Sequence, residues 1–175
     1  MIPTPGTPDF SEVQRFRQRW LWILLTLVML AILGVFGHGI IQQLVYDHPW
    51  GERPLSDNLL LLVVIAVFIF CAGLIYLFYN LRLETRVFDD RVELHFYPVW
   101  RKTISLDQVK LCEARTYSPL KEYGGWGIKY GFKNGWAYNI MGNQGVQLIL
   151  NDGKRILIGS QQASVLADSI NSRRR

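Results

Sequence analysis

The residues of this chain whose types could support chemistry are few and scattered. Its two cysteines and three histidines do not follow the spacing of a metal site, and the chain has no serine-hydrolase elbow, phosphate-binding glycine loop or helical zinc motif. No histidine lies near Cys112 in sequence, which favours a packed thiol over a nucleophile. We therefore predict that the protein is not an enzyme, with no catalytic residue, metal site or cofactor.

One segment, residues 121–133, has an unusual composition. Its sequence KEYGGWGIKYGFK contains four glycines, four aromatic residues and three lysines. Glycine lets a partner approach the backbone closely, exposed tryptophan and tyrosine are good interface anchors, and lysine can meet phosphate or anionic headgroups. The alternative is a structural role as a bulged strand, in which the first two glycines form the turn and Trp126 fills the interior of a barrel. The candidate partner-binding or lipid-binding residues are Lys121, Tyr123, Gly124, Gly125, Trp126, Lys129 and Lys133.

Two long apolar segments occupy most of the first half of the chain. Residues 20–46 and 58–81 contain no Asp, Glu, Lys or Arg, and about 20 helical residues suffice to cross a bilayer. A small soluble domain would rarely bury two such segments. The first is too long for a signal peptide, and no small-residue cleavage site follows it. We predict a transmembrane helical hairpin over residues 20–81, with spans at about 20–40 and 58–80.

The basic residues around this hairpin predict its orientation. Three arginines precede the first helix and three follow the second, whereas the loop at 47–57 has one arginine and three acidic residues. The positive-inside rule therefore predicts that both termini lie in the cytoplasm. We expect the protein to lie in the cell (inner) membrane. No charged residue inside either span marks an ion path, and His38 is interpreted as a helix-end residue, with a proton relay as the alternative.

The two ends of the chain differ in their predicted order. Residues 1–19 begin with several prolines and are predicted to be a flexible tail, in which residues 13–19 could form a short interfacial helix. Residues 82–175 instead alternate apolar and polar residues with period two, and turn residues interrupt the pattern.

This alternation predicts seven or eight short antiparallel strands followed by one helix. The predicted strands are 83–87, 92–96, 101–105, 109–117, 126–132, 136–141, 146–150 and 155–158, and the helix begins near Ser160. No other helix is predicted in this stretch. A small barrel or a pair of packed sheets, closed by the helix, accommodates these elements.

Four segments of the predicted β domain carry a resemblance to known proteins. They are residues 115–117, 123–128, 145–148 and 152–160. Together with the two apolar segments, they resemble a largely uncharacterised group of bacterial two-span membrane proteins with a C-terminal pleckstrin-homology-like domain. The resemblance covers residues 58–171. It implies a mainly antiparallel, pleckstrin-homology-like barrel capped by a C-terminal helix over residues 82–175, and it implies no particular activity.

These features predict a membrane-anchored, non-enzymatic interaction or scaffold module at the cytoplasmic membrane face. Its expected partners are the lipid bilayer and either a membrane protein or a second copy of the chain. Residues 82–175 have 15 basic and 9 acidic side chains, so binding or sensing of anionic lipid is the alternative function. No nucleic-acid-reading motif is present, and no small-molecule substrate is evident.

Overall fold

A computed structural model describes residues 7–174 of the chain. The chain forms two compact units. The helical unit comprises Arg17–Tyr79, and the β unit combines the residues before it with those after it.

The helical unit contains two long apolar helices. Helix α1 is Arg19–Ile40 and continues as a π-helical turn, Ile41–Val45; helix α2 is Asp57–Asn80. Both are long and apolar enough to span a membrane, and few of their residues are buried. Large apolar side chains such as Phe70, which is 65% exposed, cover their surfaces. A core helix of a soluble protein would instead bury such side chains.

The β unit contains nine strands in two sheets among the described residues. The first sheet has the order β1-β2-β3-β4 and the second β5-β8-β9-β7-β6. The strands are β1 Phe10–Arg15, β2 Arg82–Val87, β3 Arg91–Tyr97, β4 Trp100–Ser105, β5 Val109–Thr116, β6 Gly127–Gly131, β7 Gly135–Asn139, β8 Gln144–Leu150 and β9 Arg155–Gly159. All pairings are antiparallel except that of β7 with β9, and within residues 7–174 the sheets do not close into a single barrel.

The prediction of a flexible N-terminal tail is wrong for residues 10–15, which form strand β1. Residues 10–15 pair with β2 from Phe10 opposite Val87 to Arg15 opposite Arg82, so the predicted interfacial helix is wrong for residues 13–15. Every second side chain of β1 is buried, starting with Phe10 in the main core. The other two buried positions, Glu12 and Gln14, are polar. The sequence therefore lacks the apolar alternation that would predict a strand here. Residues 1–6 of the predicted tail lie outside the described part of the chain.

Helices cover part of the β unit. The predicted C-terminal helix is confirmed as α4, Ala163–Asn171, whose apolar side chains join the main core with those of both sheets. Two helical segments that the sequence did not predict interrupt the strands: a 3-10 turn, Leu106–Gln108, and the short helix α3, Pro119–Tyr123. Proline at the first helical position and glycine just after the last allow α3 to form in so few residues.

Candidate interaction site

The first half of the predicted segment 121–133 is a structural element. Glu122 of α3 accepts a hydrogen bond from the Ser118 backbone N–H at 2.7 Å. Its carboxylate also forms an ion pair with the Arg115 Nη2 at 2.7 Å. Gly124 then ends the helix at φ 73°, in the left-handed region that glycine enters at little cost. The predicted turn at the two glycines is therefore present, although it closes a helix and does not bulge a strand.

Tyr123 is buried and cannot serve as an exposed anchor. It forms a small second core with Tyr117, Ala137 and Leu157, and its ring meets that of Tyr117 edge to face at 6.0 Å. Burial raises the pKa of the Tyr123 phenol. Arg115 Nη2 lies 3.3 Å from its hydroxyl oxygen, so the same nitrogen contacts both Glu122 and Tyr123 at the end of α3.

Trp126 lies at the boundary between core and surface. It is half-buried, and its indole Nε1 donates a hydrogen bond to the Gly142 carbonyl at 3.0 Å. The preceding Gly125 is buried with φ 128°. Trp126 is absent from both buried clusters, so it does not fill the interior as the structural alternative predicted.

The three predicted lysines lie on three different local elements. Lys121 is exposed on α3, Lys129 lies within β6, and Lys133 follows β6 in the turn before β7. Successive side chains of a strand point to opposite faces, so Lys129 and the neighbouring Tyr130 lie on different faces of the sheet.

A series of aromatic rings, here called the aromatic face, crosses from the first sheet to the tip of the β6–β7 hairpin. Its members are Trp100, Tyr138, Trp136, Tyr130 and Phe132, with successive ring centroids 4.8, 6.4, 5.3 and 6.2 Å apart. Tyr138 is buried, whereas Phe132 is 97% exposed and Trp136 and Tyr130 are also exposed. Only Tyr130 and Phe132 lie within the predicted segment. The alternation of Trp136 and Tyr138 in β7 was the signal for those two residues, and Trp100 of β4 joins them through its stacking on Tyr138.

Basic side chains lie beside the exposed end of the aromatic face. Lys133, Lys154 and Arg155 line a shallow cavity of about 330 Å³ together with Trp136 and Phe132. Lys154 pairs with Asp152 at 2.6 Å, and Arg155 donates to the Lys133 carbonyl at 3.4 Å. The exposed surface therefore combines aromatic and cationic groups.

A second surface, here called the basic groove, lies on the first sheet. This cavity of about 450 Å³ is lined by strands β2, β3 and β4, and its basic members are Arg82, Arg86, His95, Arg101 and Lys102. From the sequence, Arg82 and Arg86 were markers of orientation and residues that could hold the domain against the membrane surface, and His95 was a polar position of a strand. Arg101 and Lys102 were not singled out. The pairing of β2 with β3 and of β3 with β4 brings the first four of these residues onto one face of the sheet. Lys102 lies opposite the buried Leu94, so its side chain points to the other face.

Charges in the basic groove are unequally paired. Glu84 accepts hydrogen bonds from Arg82 at 2.8 Å and from Arg86 at 3.1 Å. Arg101 Nε lies 3.1 Å from His95 Nε2, and the Lys102 Nζ lies 5.7 Å from the centre of the Tyr138 ring. Burial, followed by the charge of Arg101, lowers the pKa of His95, and burial lowers the pKa of Lys102.

Cys112 has the surroundings of a packed thiol. It is buried, its Sγ lies 3.9 Å from the Ala167 carbonyl oxygen, and burial raises its pKa to about 12. A thiol in this state is a poor nucleophile. Within residues 7–174, no cluster of three or more His, Cys, Asp or Glu side chains could hold a metal ion.

Comparison of the chain with models of known protein families, with curated protein sequences and with solved structures finds no match. The two surfaces must therefore be interpreted from their own geometry and charge.

Proposed function

We propose that this protein is a membrane-anchored, non-enzymatic interaction module whose β unit binds a membrane-protein partner or a second copy of the chain at the cytoplasmic membrane face. This proposal rests on the exposed end of the aromatic face, which comprises Trp136, Tyr130 and Phe132. Clustered exposed aromatic side chains are uncommon on monomeric soluble surfaces and are typical of binding sites.

The connectivity of the chain supports the anchor. Strand β1 precedes α1, strand β2 follows α2, and the two strands are hydrogen-bonded neighbours. A chain that leaves one folded unit and returns to it must cross a bilayer an even number of times, which fits a two-helix hairpin. Cleavage of α1 as a signal peptide would also remove β1 from the sheet that it completes.

The types and positions of the aromatic residues support protein binding. Tryptophan, tyrosine and phenylalanine supply large buried areas at interfaces, and tryptophan and tyrosine lose little conformational entropy on binding. Tyr138 and Trp100 are stacked at 4.8 Å and provide a rigid base, while Trp136 and Phe132 remain exposed for contact.

Photo-crosslinking in membranes tests this function. A photoreactive residue placed at position 132 or 136 of the full-length chain should give discrete protein adducts. The same residue at position 165, where Val165 on α4 is 52% exposed, should not. An adduct of twice the chain's mass would identify self-association, and another mass would identify a partner to be sequenced.

The variant Phe132→Ser provides the second arm of the test. We expect it to abolish adducts from position 136 without altering the folding of the β unit, since the Phe132 side chain is almost fully exposed. Equal crosslinking from positions 132 and 165, or unchanged adducts in Phe132→Ser, would refute this function.

Binding of anionic lipid is the second candidate function. The observation that favours it is the arrangement of cations near both surfaces, notably Lys133 beside Phe132 and Arg101 in the basic groove. Basic residues near an anionic leaflet each contribute about 1 kcal/mol to binding. Crosslinking of position 132 to lipid alone, with no protein adduct, would favour this candidate over the first.

A further inference from the structure

The inner face of the second sheet continues beyond the cover that the first sheet provides. On β7, Tyr138 belongs to the main core, but Trp136, two residues earlier on the same face, is 43% exposed. Its cross-strand neighbour Tyr130 is 55% exposed. Trp100 of β4 stacks on Tyr138 at 4.8 Å, so the first sheet still covers that ring. The aromatic side chains next to it have the position of core residues but no strand above them.

Strand β4 is the edge of the first sheet at this uncovered face. It is the last strand in the order of its sheet. Within residues 7–174, the backbone of Trp100–Ser105 is hydrogen-bonded only through its ladder with β3. An edge strand directs every second pair of N–H and C=O groups away from its neighbour. One further strand could therefore pair with β4 and extend the first sheet over the exposed aromatic side chains.

Two other sheet edges do not offer this combination. On β5, the Cys112 carbonyl accepts a hydrogen bond from Asn171 at 3.2 Å, and the Lys110 carbonyl accepts one from Arg174 at 2.8 Å. The C-terminal residues thus occupy backbone groups of that strand. On β1, the inward side chains are already buried. Of these three edges, β4 alone combines free backbone groups with an uncovered apolar face.

Lys102 restricts which strand can be added. It lies opposite the buried Leu94 and points to the inner face, where its Nζ is 5.7 Å from the centre of the Tyr138 ring. Burial, followed by the positive charge of Lys154, lowers the pKa of Lys102. Lys154 pairs with Asp152 at 2.6 Å, whereas Lys102 forms no ion pair within residues 7–174. An inward-pointing charge on an edge strand disfavours any added strand that does not neutralise it.

A second copy of β4 does not meet this requirement. The strand contains Arg101 and Lys102 and no carboxylate. Pairing of two such strands would gain no opposite-charge pair and would bring like charges close together. The charge of the edge therefore favours an acidic segment of another protein.

We propose that the β4 edge binds an extended segment of a partner protein by strand addition. Apolar side chains at alternate positions of this segment cover Trp136 and Tyr130, and a glutamate or aspartate in the same phase pairs with Lys102. Main-chain hydrogen bonds supply affinity in this binding mode, and the alternate side chains supply specificity. The inference rests on the proposed function and specifies the partner that the aromatic face would bind.

Peptide binding to the purified full-length chain in an uncharged detergent tests the proposal. The probe is the fluorescein-labelled peptide TVTETFT, whose valine, glutamate and phenylalanine share one face when the peptide is extended. Fluorescence anisotropy measures its Kd, and protein-free micelles give the background. We expect saturable binding. N-methylation of one alternating set of amides, either those of the threonines or those of the other residues, should abolish binding, and N-methylation of the other set should preserve it.

Variants of the protein and of the peptide identify the contacts. Loss of the opposite-charge pair predicts that Lys102→Gln raises the Kd of TVTETFT by about fivefold. The peptide TVTQTFT should bind the parent protein with the same reduced affinity, and Lys102→Gln should not weaken it further. The peptide TVTETAT, which loses the apolar contact with Trp136, should bind about tenfold more weakly. Lys110→Gln removes an exposed charge from β5 and should change the Kd by less than about twofold.

Three results would overturn the proposal: no saturable binding of TVTETFT, equal effects of the two methylation patterns, or a Kd that Lys102→Gln leaves unchanged. Thermal unfolding of Lys102→Gln without peptide serves as the folding control. The proposed function is decided separately by crosslinking from position 132. Adducts there without peptide binding would keep the function and reject strand addition, whereas peptide binding without adducts would keep the edge site and reject the function.

Discussion

The contribution of strand β1 to the stability of the β unit can be measured by substitution of one side chain. Glu12 of β1 is buried, and its carboxylate accepts hydrogen bonds from the Ser160 hydroxyl at 2.5 Å and from the Gln161 backbone N–H at 2.8 Å. These bonds join the strand to the turn that precedes α4. We predict that Glu12→Ala lowers the free energy of unfolding far more than Ser11→Ala, since Ser11 is exposed on the same strand.

The size of the effect follows from the two bonds. A hydrogen bond to a charged group contributes about 1.5–3 kcal/mol, and removal of one carboxylate leaves two donors to be satisfied by water. Glu12 is 9% exposed, so water can reach part of the site. We therefore expect a loss of about 3 kcal/mol, below the sum of two full bonds but large against a total domain stability of roughly 5–15 kcal/mol.

The assay uses a soluble form of the β unit. Strands β1 and β2 are antiparallel neighbours, with Arg15 opposite Arg82, so a short Gly-Ser turn can replace Arg17–Tyr79. Denaturant unfolding of this protein and its variants is then followed by tryptophan fluorescence. A value for Glu12→Ala within about 0.5 kcal/mol of that for Ser11→Ala, the usual range of surface substitutions, would refute the reasoning.

Two further predictions concern the second sheet and its flanking helix. Gly135→Ala should lower the free energy of unfolding by more than about 3 kcal/mol, because Gly135 has φ 75° and a Cβ there would overlap the Arg155 carbonyl. Gly153 has φ 81° but open space around it, so Gly153→Ala should lower this free energy by only about 1 kcal/mol. Equal denaturation midpoints for the two variants would contradict this prediction. At Glu122, burial alone would raise the carboxyl pKa, but hydrogen bonds from Arg115 and a backbone N–H outweigh it and lower the pKa. Stability from this group is therefore present above the unfolded-state pKa of about 4.3 and is lost as pH falls through the lower folded-state value. The difference between the parent and Glu122→Gln should be about 1 kcal/mol at pH 7 and disappear once the pH falls below the folded-state pKa; a difference independent of pH would contradict it.

Local patterns in the sequence predicted most elements of the fold. The uncharged segments predicted the two apolar helices, and period-two alternation predicted strands such as β3, for which residues 92–96 lie within Arg91–Tyr97. The Asp152-Gly153 turn predicted the hairpin of β8 and β9. These signals are readable because each depends on residues close together in the chain.

The candidate site was predicted less well because its members come from separate strands. The glycine-aromatic composition of residues 121–133 marked a segment whose first half folds inward around Tyr123, while Phe132 remains exposed at its end. Nothing local distinguished a buried tyrosine from an exposed one. Arg101 looked like an ordinary polar position of a strand until pairing with β3 brought it beside His95.

By itself, the sequence determined the class and order of the elements: two apolar helices long enough to span a bilayer, followed by short strands and a final helix. Hydropathy and alternation are properties of contiguous residues, so no tertiary contact is needed to read them. Only the tertiary structure assigned residues 10–15 to a strand of the β unit, because Glu12 finds its partner Ser160 at a separation of 148 residues. Pairing over such distances depends on the closure of the whole domain, and it also decided which aromatic and basic side chains share a surface.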